Sequence, residues 1–448
     1  MSRHPQTGLP WRRRFLPLFA LFQAGTFNDN GLKNALIALI TFGGVAFLSD
    51  LPSGIRVPVA ALIFTGPFTL LCAIAGQIAD KVDRGVIFRW VKRAEVVIML
   101  IAALGFWLMD VRILALALGL MGAQSAFFSP TKNAVLPQWL TERELIQGNA
   151  LLSGFQFATI LAATIFGLFV LQLGATTISV VLVALALFGW ASSEFCPPAP
   201  APQPDLKVNY EPVTATISVL GKAVHHPDVL RPLLGVSWFY AVSTVFVTTL
   251  PDLVGQTMGY NEQALQVLLA TSTISILVGA LIVFAVGNLK IWGPEAVRLS
   301  TLGIIGVTLC TLLLVLIPSP NYAGEAAFGP LGDFLSDPAT PLFVIVLSAA
   351  SAFNGMFIVP LQAMAQRRAE PRIRAQLMSA GSVLLNLFVN LTTFGLIGLG
   401  ALALGPTVPF WIIIAGSAVV AGYAVYRSVI LVERPQPGVA ASAGQGAQ

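Results

Sequence analysis

Apolar stretches long enough to cross a lipid bilayer recur along the whole chain of 448 residues. A helix needs about 20 such residues to cross the roughly 30 Å of hydrocarbon in a membrane. Hydrophobic residues make up 56% of the sequence and charged residues only 10%, whereas a soluble domain has about 25% charged residues. The sequence therefore predicts an all-α polytopic membrane protein. We expect twelve spans, the fourth of them at 112–129.

The distribution of basic residues predicts how these spans are oriented. Cytoplasmic loops of membrane proteins carry an excess of Lys and Arg. With the N-terminus in the cytoplasm, all 25 Lys and Arg residues except Arg56, Arg112 and Lys33 fall in cytoplasmic segments. An even number of spans with both termini in the cytoplasm follows. The net charge of +5 is then explained by attraction to anionic lipid at the cytoplasmic face, without nucleic acid.

The longest hydrophilic interruption divides the spans six and six. It begins at Cys196 with a Pro-rich segment, which is extended and semi-rigid. We expect two six-helix bundles, a cytoplasmic linker between them and a disordered cytoplasmic tail, over the ranges 1–195 and 231–428 for the bundles, 196–230 for the linker and 429–448 for the tail.

The first span contains a polar string, Asn28-Asp29-Asn30-Gly31-Leu32-Lys33-Asn34, with apolar sequence on both sides. A charge at membrane depth costs about 2.5–3.5 kcal/mol and marks a candidate functional site by default. Asp29 and Lys33 are four residues apart, which places them on one helical face, about 6 Å apart along the axis. A carboxylate and an ammonium on adjacent turns suit a ligand that carries both charges. The alternatives are an internal ion pair, a packing role between helices, and proton coupling through Asp29.

Other spans add polar residues that turn toward the interior of a bundle, where they line a cavity or hold helices together. Span seven has a polar face at helical spacing, and amides recur in spans four, five, ten and eleven. The candidate substrate-binding residues are Asn28, Asp29, Asn30, Lys33, Asn34, Tyr240, Ser243, Thr244, Asn354, Asn386 and Asn390.

The loop between spans two and three carries acidic residues at the end of one helix and basic residues at the start of the next, an order suited to a charge relay between the two helices. It resembles the loop motif of the major facilitator superfamily, whose internal symmetry is a parallel repeat of six spans. Glu95 is expected beside Lys92 and Arg93 in the charge cluster near the cytoplasmic interface. The candidate gating residues are Gly76, Asp80, Lys81, Asp83, Arg84, Gly85 and Arg89.

Four longer stretches resemble the bacterial lysophospholipid transporter family of that superfamily, including the transporter part of fused acyltransferase/acyl-carrier-protein synthetase proteins. These stretches are FNDNGLKN (27–34), FFSPTKNAVLPQWL (127–140), GNALLSG (148–154) and GMFIVPLQAMAQ (355–366). The resemblance implies a multi-pass protein of the bacterial inner membrane that moves lysophosphatidylethanolamine-type lipids from the outer to the inner leaflet for re-acylation. Because the chain ends soon after span twelve, re-acylation is expected to belong to a separate acyltransferase/acyl-carrier-protein synthetase.

The chain departs from some members of that family, which carry a basic residue midway along span seven where it reads Ser243 to Val247. Lys33 is then the nearest candidate partner for a head-group phosphate. Lys132, in a predicted turn after Pro130, is expected to contact lipid phosphate at the inner surface, or else to serve only as a positive-inside residue.

Other function classes fit the sequence less well. The three His and three Cys have no metal-ligand spacing, and no phosphate-binding Gly loop or serine-nucleophile motif is present. We therefore expect neither an enzyme nor a bound metal or cofactor. The main alternative is a proton-coupled exporter of drugs or amphiphilic metabolites with the same fold, which would use Asp29 as its titrating group.

Overall fold

The computed structural model describes residues 10–42, 53–168, 170–287, 289, 291, 296–324, 328–402, 405 and 407–427. These residues are almost entirely helical, as the sequence predicts. The α-helices are α1 (Trp11–Phe42), α2 (Ser53–Lys81), α3 (Arg84–Leu108), α4 (Val111–Trp139), α5 (Glu142–Leu168), α6 (Val170–Glu194), α7 (Pro212–His225), α8 (Pro227–Asp252), α9 (Glu262–Val286), α10 (Val297–Leu316), α11 (Leu331–Ser336), α12 (Thr340–Arg368), α13 (Arg374–Ala401) and α14 (Val408–Val425).

Apart from the short helices α7 and α11, these helices match the twelve predicted spans in order. Within the described ranges, ten helices are long and apolar enough to cross a membrane. The long helices missing from these ten are α1 and α3, which carry the charges of the polar string and of the segment after Arg84. Both of these helices carry charged side chains inside the protein, among them Asp29 on α1 and Glu95 on α3.

The fourth span is longer than the sequence predicts. The expected turn after Pro130 is wrong, because α4 continues through Pro130 and Pro137 to Trp139. Proline is tolerated inside membrane helices because neighbouring groups and local adjustments satisfy the freed backbone groups. The consequence is that Lys132 lies two turns before the end of a helix and not in a surface loop.

The two halves pack alike. In the N-terminal half α4 contacts α2 and α3, α1 contacts α5, and α3 contacts α6. In the C-terminal half α12 contacts α9 and α10, α8 contacts α13, and α10 contacts α14. Matching each helix to its counterpart in chain order makes these the same pairings, as expected of a parallel six-helix repeat. The bundles meet mainly where α2 contacts α13 and α5 contacts α9.

The linker is attached along much of its length. The backbone N–H of Ala199 donates to the Asp83 carboxylate, and that of Gln203 donates to the carbonyl of Asp80. Helix α7 then buries Ala215 and Val219 in an apolar cluster and contacts α2, α8 and α13. The predicted tail at 429–448 lies outside the described residues.

Candidate functional site

A central cavity lies between the two bundles, bounded by α1, α2, α4 and α5 on one side and by α8, α12 and α13 on the other. Its water-accessible volume of ≈ 310 Å³ is at the low end of the range for sites that hold small molecules. The polar residues that line it are Thr26, Asp29, Asn30, Lys33, Thr65, Ser125, Ser129, Lys132, Asn133, Gln156, Tyr240, Gln362, Gln366, Ser382 and Asn386.

The two charges of the polar string have different partners. The Ser125 hydroxyl lies 3.1 Å from both carboxylate oxygens of Asp29, to which it donates. Lys33 Nζ donates to Asn30 Oδ1 at 3.0 Å. Among the described residues no ion pair within 4.0 Å joins Asp29 to Lys33. Both charged groups therefore face the cavity without neutralising each other directly.

Lys132 is a second ammonium in the cavity. The expected contact with lipid at the inner surface does not agree with the structure, because the extended α4 places this side chain among the cavity-lining residues. Its Nζ lies 3.8 Å from the centre of the Phe22 ring, a cation–π contact. Within the described part of the chain it has no carboxylate partner. The cavity thus holds one carboxylate and two ammonium groups.

Asn28 points away from the cavity, into the N-terminal bundle. Its Nδ2 donates to Glu95 Oε1 at 2.9 Å, and Lys92 Nζ contacts Glu95 Oε2 at 2.5 Å. Gln124 Nε2 is a third donor to Glu95, at 3.3 Å. Asn28, Lys92 and Glu95 are almost completely buried. The expected partnership of Glu95 with Lys92 is confirmed. Its expected position near the interface is wrong, since three turns of α3 carry it inside the bundle, where it anchors the polar string.

Several other predicted site residues lie outside the central cavity. Asn34 Nδ2 donates to Thr164 Oγ1 on α5 at 3.1 Å, and Asn354 Nδ2 donates to Ser243 Oγ at 3.2 Å. The Thr244 hydroxyl donates to the backbone carbonyl of its own helix one turn earlier. The predicted binding residues that do not line the central cavity are thus Asn28, Asn34, Ser243, Thr244, Asn354 and the exposed Asn390.

The predicted gating residues meet at one end of the bundles, which we call the basic end and define by the loops at 82–83 and 369–373. Asp80 is fully buried and accepts from the backbone N–H groups of Ala375 and Gln376, at 3.0 and 3.1 Å. Arg84 Nη2 donates to the same carboxylate at 2.8 Å. A carboxylate at the N-terminus of α13 also interacts favourably with the helix dipole. Asp80 therefore ties α2 of one bundle to α13 of the other.

The remaining gating residues support this tie. Asp83 is the N-cap of α3, accepting from the N–H groups of Gly85 and Val86. A Cβ atom on Gly76 would lie 2.5 Å from Ser379 Oγ and 2.9 Å from the backbone carbonyl of α13, so the two helices approach as closely as glycine allows. Lys81 and Arg89 are half-buried at the same end.

Amide side chains form a second tie between the bundles at the basic end. Asn149 and Gln366 exchange two hydrogen bonds, at 2.8 and 3.1 Å. The Ser153 hydroxyl donates to Gln362 Oε1 at 2.7 Å. Apart from the bond between Tyr240 and Gln156 at the middle of α8 and α5, the hydrogen bonds that the structure describes between the bundles lie in the halves of the helices nearest the basic end. The bundles are closed against each other at that end.

Sequence reasoning missed Ser125 as the partner of Asp29, because a lone serine in a span has no distinguishing pattern. Gln156 and Gln362 are among the amides of spans five and ten, which the sequence assigns either to a cavity or to helix contacts, and both line the cavity. An amide pattern in a span thus locates candidates, while the rotation of each helix decides which of them face the cavity.

Comparisons with known proteins agree with this architecture. The lysophospholipid transporter LplT of Enterobacter sp. (strain 638) is 23% identical over 415 residues, which cover 91% of this chain and 93% of that protein. The LplT of Escherichia coli O1:K1 / APEC is 25% identical over 381 residues, which cover 84% of this chain and 85% of that protein.

Solved structures share the fold. FucP, a major facilitator superfamily transporter crystallised in the outward conformation, superposes with a TM-score of 0.68 at 13% identity, covering 92% of this chain and 98% of that one. A bacterial homologue of the iron transporter ferroportin in an outward-facing state has a TM-score of 0.59 at 15% identity, covering 92% of this chain and 99% of that one.

The sequence model of the Major Facilitator Superfamily matches residues 35–331, well over half of the chain. That match, the repeated six-helix packing and the central cavity agree on one assignment. The chain is a multi-pass membrane protein and belongs to the major facilitator superfamily, a family of transporters and not of enzymes.

Proposed function

We propose that the protein transports lysophospholipids, and that it moves lysophosphatidylethanolamine-type lipids from the outer to the inner leaflet of the bacterial inner membrane for re-acylation. The observation that carries the proposal is the combination of one carboxylate, Asp29, with two ammonium groups, Lys33 and Lys132, in one cavity between the bundles. The similarity to proteins named lysophospholipid transporter LplT supports the same substrate class.

The cavity charges complement a zwitterionic head group. Lys33 donates to an amide oxygen and Lys132 lies over an aromatic ring, so both ammonium groups retain N–H donors for a phosphate. Asp29 accepts from a single hydroxyl group, that of Ser125, which leaves lone pairs for the ammonium of ethanolamine. Charge-assisted hydrogen bonds of this kind contribute about 1.5–3 kcal/mol each.

The C-terminal bundle offers neutral polar groups to the same ligand. Tyr240 on α8 and Asn386 on α13 line the cavity opposite the polar string. The Asn386 amide donates to the backbone carbonyl of Ser382, and its carbonyl oxygen is an acceptor for ammonium. A head group in the cavity would therefore touch both bundles, as a ligand must if its binding is to change how they are arranged.

The conformation supports the proposed direction. The bundles are closed at the basic end, which the excess of Lys and Arg predicts to be cytoplasmic. A cavity closed at that end is reached from the outer side of the membrane, and the superposable transporters are described in outward states. Rocking of the bundles around a fixed central site would then deliver the head group to the inner leaflet. Re-acylation by a separate acyltransferase/acyl-carrier-protein synthetase would consume the delivered lipid.

The test is movement of labelled lysophosphatidylethanolamine into vesicles that contain the purified protein, with and without a pH gradient. We expect wild type to move the lipid without a gradient, and Asp29→Asn, Lys33→Met and Lys132→Met each to slow that movement at least tenfold, since each removes a charge-assisted contact. Lys207→Met is the matched control, because it removes one positive charge at an exposed linker position.

Two outcomes would contradict the proposal. One is normal lipid movement in all three cavity variants. The other is no lipid movement by wild type together with gradient-driven export of a different amphiphile that Asp29→Asn abolishes. The second result would favour the proton-coupled exporter.

A further inference from the structure

Helix α7 of the linker has three sides, and only one of them packs on the protein. Ala215, Val219 and Ala223 are buried in an apolar cluster that α7 shares with residues of α2 and α13. Their spacing of four residues places them on one side of the helix. The other two sides are exposed, and they differ in chemistry.

One exposed side of α7 is apolar. Val213, Ile217 and Val224 are 60%, 65% and 63% exposed, and Leu220 among them is half-buried. Spacings of four, three and four residues align the four side chains in one row along the helix. We call this row the exposed stripe.

The remaining side of α7 is polar. Its exposed residues are Thr214, Ser218 and His225. Successive residues of a helix point about 100° apart, so Ile217 and its neighbour Ser218 belong to different sides. Such a separation of an apolar from a polar side is typical of helices that lie in the interface of a membrane.

Two hydrogen bonds fix the direction in which α7 runs. The backbone N–H of Asn209, just before the helix, donates to Gln77 Oε1 of α2 at 2.8 Å. Near the other end of the helix, Lys222 Nζ donates to Gln376 Oε1 of α13. Gln77 lies one turn before the end of α2, and Gln376 lies in the first turn of α13. Both ends of α7 are therefore held at the same level, and the helix runs across the basic end, parallel to the plane of the membrane.

Exposed tryptophans of α3 mark the depth of the membrane. Trp90 and Trp107 are 66% and 72% exposed, and they lie about 25 Å apart along the helix axis, close to the ~30 Å of hydrocarbon in a bilayer. Tryptophan is enriched at both interfaces of a membrane. Trp90 follows the first residue of α3 by six positions, so the inner interface is about 9 Å from the basic end of that helix. Helix α7, attached within a turn of the ends of α2 and α13, therefore lies at the depth of the lipid head groups.

The lipid-facing surface of α2 continues up to α7. Phe68 lines the central cavity, whereas the exposed Leu70 points about 200° away from it and so faces lipid. One turn closer to the basic end, Ile74 is buried in the same apolar cluster as Ala215. Helix α7 thus begins to cover α2 where its lipid-exposed surface ends, which places the exposed stripe next to membrane lipid.

From these placements we propose that the exposed stripe of α7 inserts among the acyl chains of the inner leaflet, with the polar side of the helix toward the cytoplasm. The interaction goes beyond the proposed function, because its partner is lipid of the bilayer and not the transported molecule. Since α7 contacts both α2 and α13, insertion keeps the helix over the line where the bundles meet, beside their close approach at Gly76. Lipid of the inner leaflet is then kept from entering between α2 and α13.

A soluble protein is the alternative partner for the exposed stripe. A single row of four aliphatic side chains is small compared with the roughly 800 Å² that each partner buries in a stable protein interface. The stripe also lies at head-group depth, where the apolar side of an interfacial helix is buried about 5–10 Å into the boundary between head groups and acyl chains. Lipid is therefore the partner that the position of α7 favours.

A fluorescent amino acid introduced in place of Ile217 or of Ser218 tests which side of α7 meets lipid. The purified protein is placed in vesicles of phosphatidylethanolamine and phosphatidylglycerol in which part of the lipid carries a nitroxide on its acyl chain. We expect the nitroxide to quench the probe at 217 at least threefold more than the probe at 218, and iodide on both sides of the membrane to show the opposite order. Ser218 is the matched control, because it is the exposed neighbour on the polar side.

A second measurement places the same charge on each side of the helix. Ile217→Glu should speed amide hydrogen exchange of α7 in vesicles at least tenfold, because its carboxylate would enter the hydrocarbon boundary. Ser218→Glu should change exchange less than twofold. The exposure of both positions means that neither substitution removes much packing within the protein.

Three outcomes would overturn the inference. They are equal quenching of the two probes by either agent, equal exchange in the two variants, and quenching of the probe at 217 by iodide alone. The last result would favour a soluble partner. Neither measurement uses transport of lysophospholipid, so failure of the proposed function would leave the result for α7 unaffected.

Discussion

The buried ion pair between Lys92 and Glu95 gives a prediction about the stability of the N-terminal bundle. The two side chains are 1% and 0% exposed, and Nζ lies 2.5 Å from Oε2. Breaking a buried pair by removing one partner costs about 3–5 kcal/mol, because the other charge stays buried without compensation. The amides of Asn28 and Gln124 still donate to Glu95, so we expect Lys92→Met to fall at the lower end, near ~3 kcal/mol.

The double variant Lys92→Met/Glu95→Gln separates this effect from simple loss of packing. It removes both charges and keeps an amide oxygen for Asn28, so its free energy of unfolding should lie within about 1.5 kcal/mol of wild type. The expected difference between single and double variants therefore corresponds to at least a tenfold change in the unfolding equilibrium. Unfolding of the purified protein in mixed micelles by SDS, followed by tryptophan fluorescence, measures it.

Arg93 and Glu194 provide the matched control one residue away. This pair is also short, at 3.0 Å, but its side chains are 47% and 41% exposed. Water screens an exposed ion pair strongly, so Arg93→Met should change the free energy of unfolding little. If the double variant were no more stable than Lys92→Met, or if Arg93→Met were equally destabilising, the argument from burial would be refuted.

Three further predictions concern the basic end and the linker. Asp80→Asn removes the negative charge that accepts hydrogen bonds from the backbone N–H groups of Ala375 and Gln376. Because charge-assisted bonds of about 1.5–3 kcal/mol are weakened, amide hydrogen exchange in the first turn of α13 should become at least tenfold faster. Unchanged exchange would show that Asp80 does not tie α2 to α13. Gly76→Ala should slow transport severalfold, because the new Cβ atom would lie 2.5 Å from Ser379 Oγ. Gly66→Ala is the control and should not slow it, because the space around Gly66 is open. Transport into vesicles is measured for both variants. Hydrogen bonds from the Thr214 side chain and from the backbone hold the pKa of Glu211 below its ordinary value. The stabilisation that Glu211 gives α7 as its N-cap is therefore fully present above the pKa of this group in the unfolded chain. It is lost as the pH falls through the lower pKa of the group in the folded protein. Circular dichroism of wild type should show this loss of helix in acid, and Glu211→Gln should lack the step.

The fold was largely predictable because each span repeats one physical requirement, a length of apolar helix, and because charges mark the loops. The length of α4 was not predictable. A proline such as Pro130 ends many helices of soluble proteins, and it is tolerated inside a membrane helix only because neighbouring groups satisfy the freed backbone groups. This single difference moved Lys132 from the surface to the cavity.

The candidate site was predictable as a set of residues but not as an arrangement. Asn28 and Asp29 are neighbours in the string, yet successive helical residues point about 100° apart, so one anchors the bundle interior and the other faces the cavity. The basic neighbours of Glu95 in the sequence suggest a surface cluster and so predict a position at the interface. Only the packing of α1, α3 and α4 shows that its partners surround it on all sides.

The attached linker has a consequence for how the two halves are connected. Residues near Ala199 and Gln203 belong to the N-terminal half through their hydrogen bonds, and α7 contacts helices of both halves. Both sides of the exposed stretch around Asp205 and Lys207 are therefore held by non-covalent contacts of their own. A chain divided there is therefore expected to assemble from two separately synthesised polypeptides, with α7 acting as the docking element of the second.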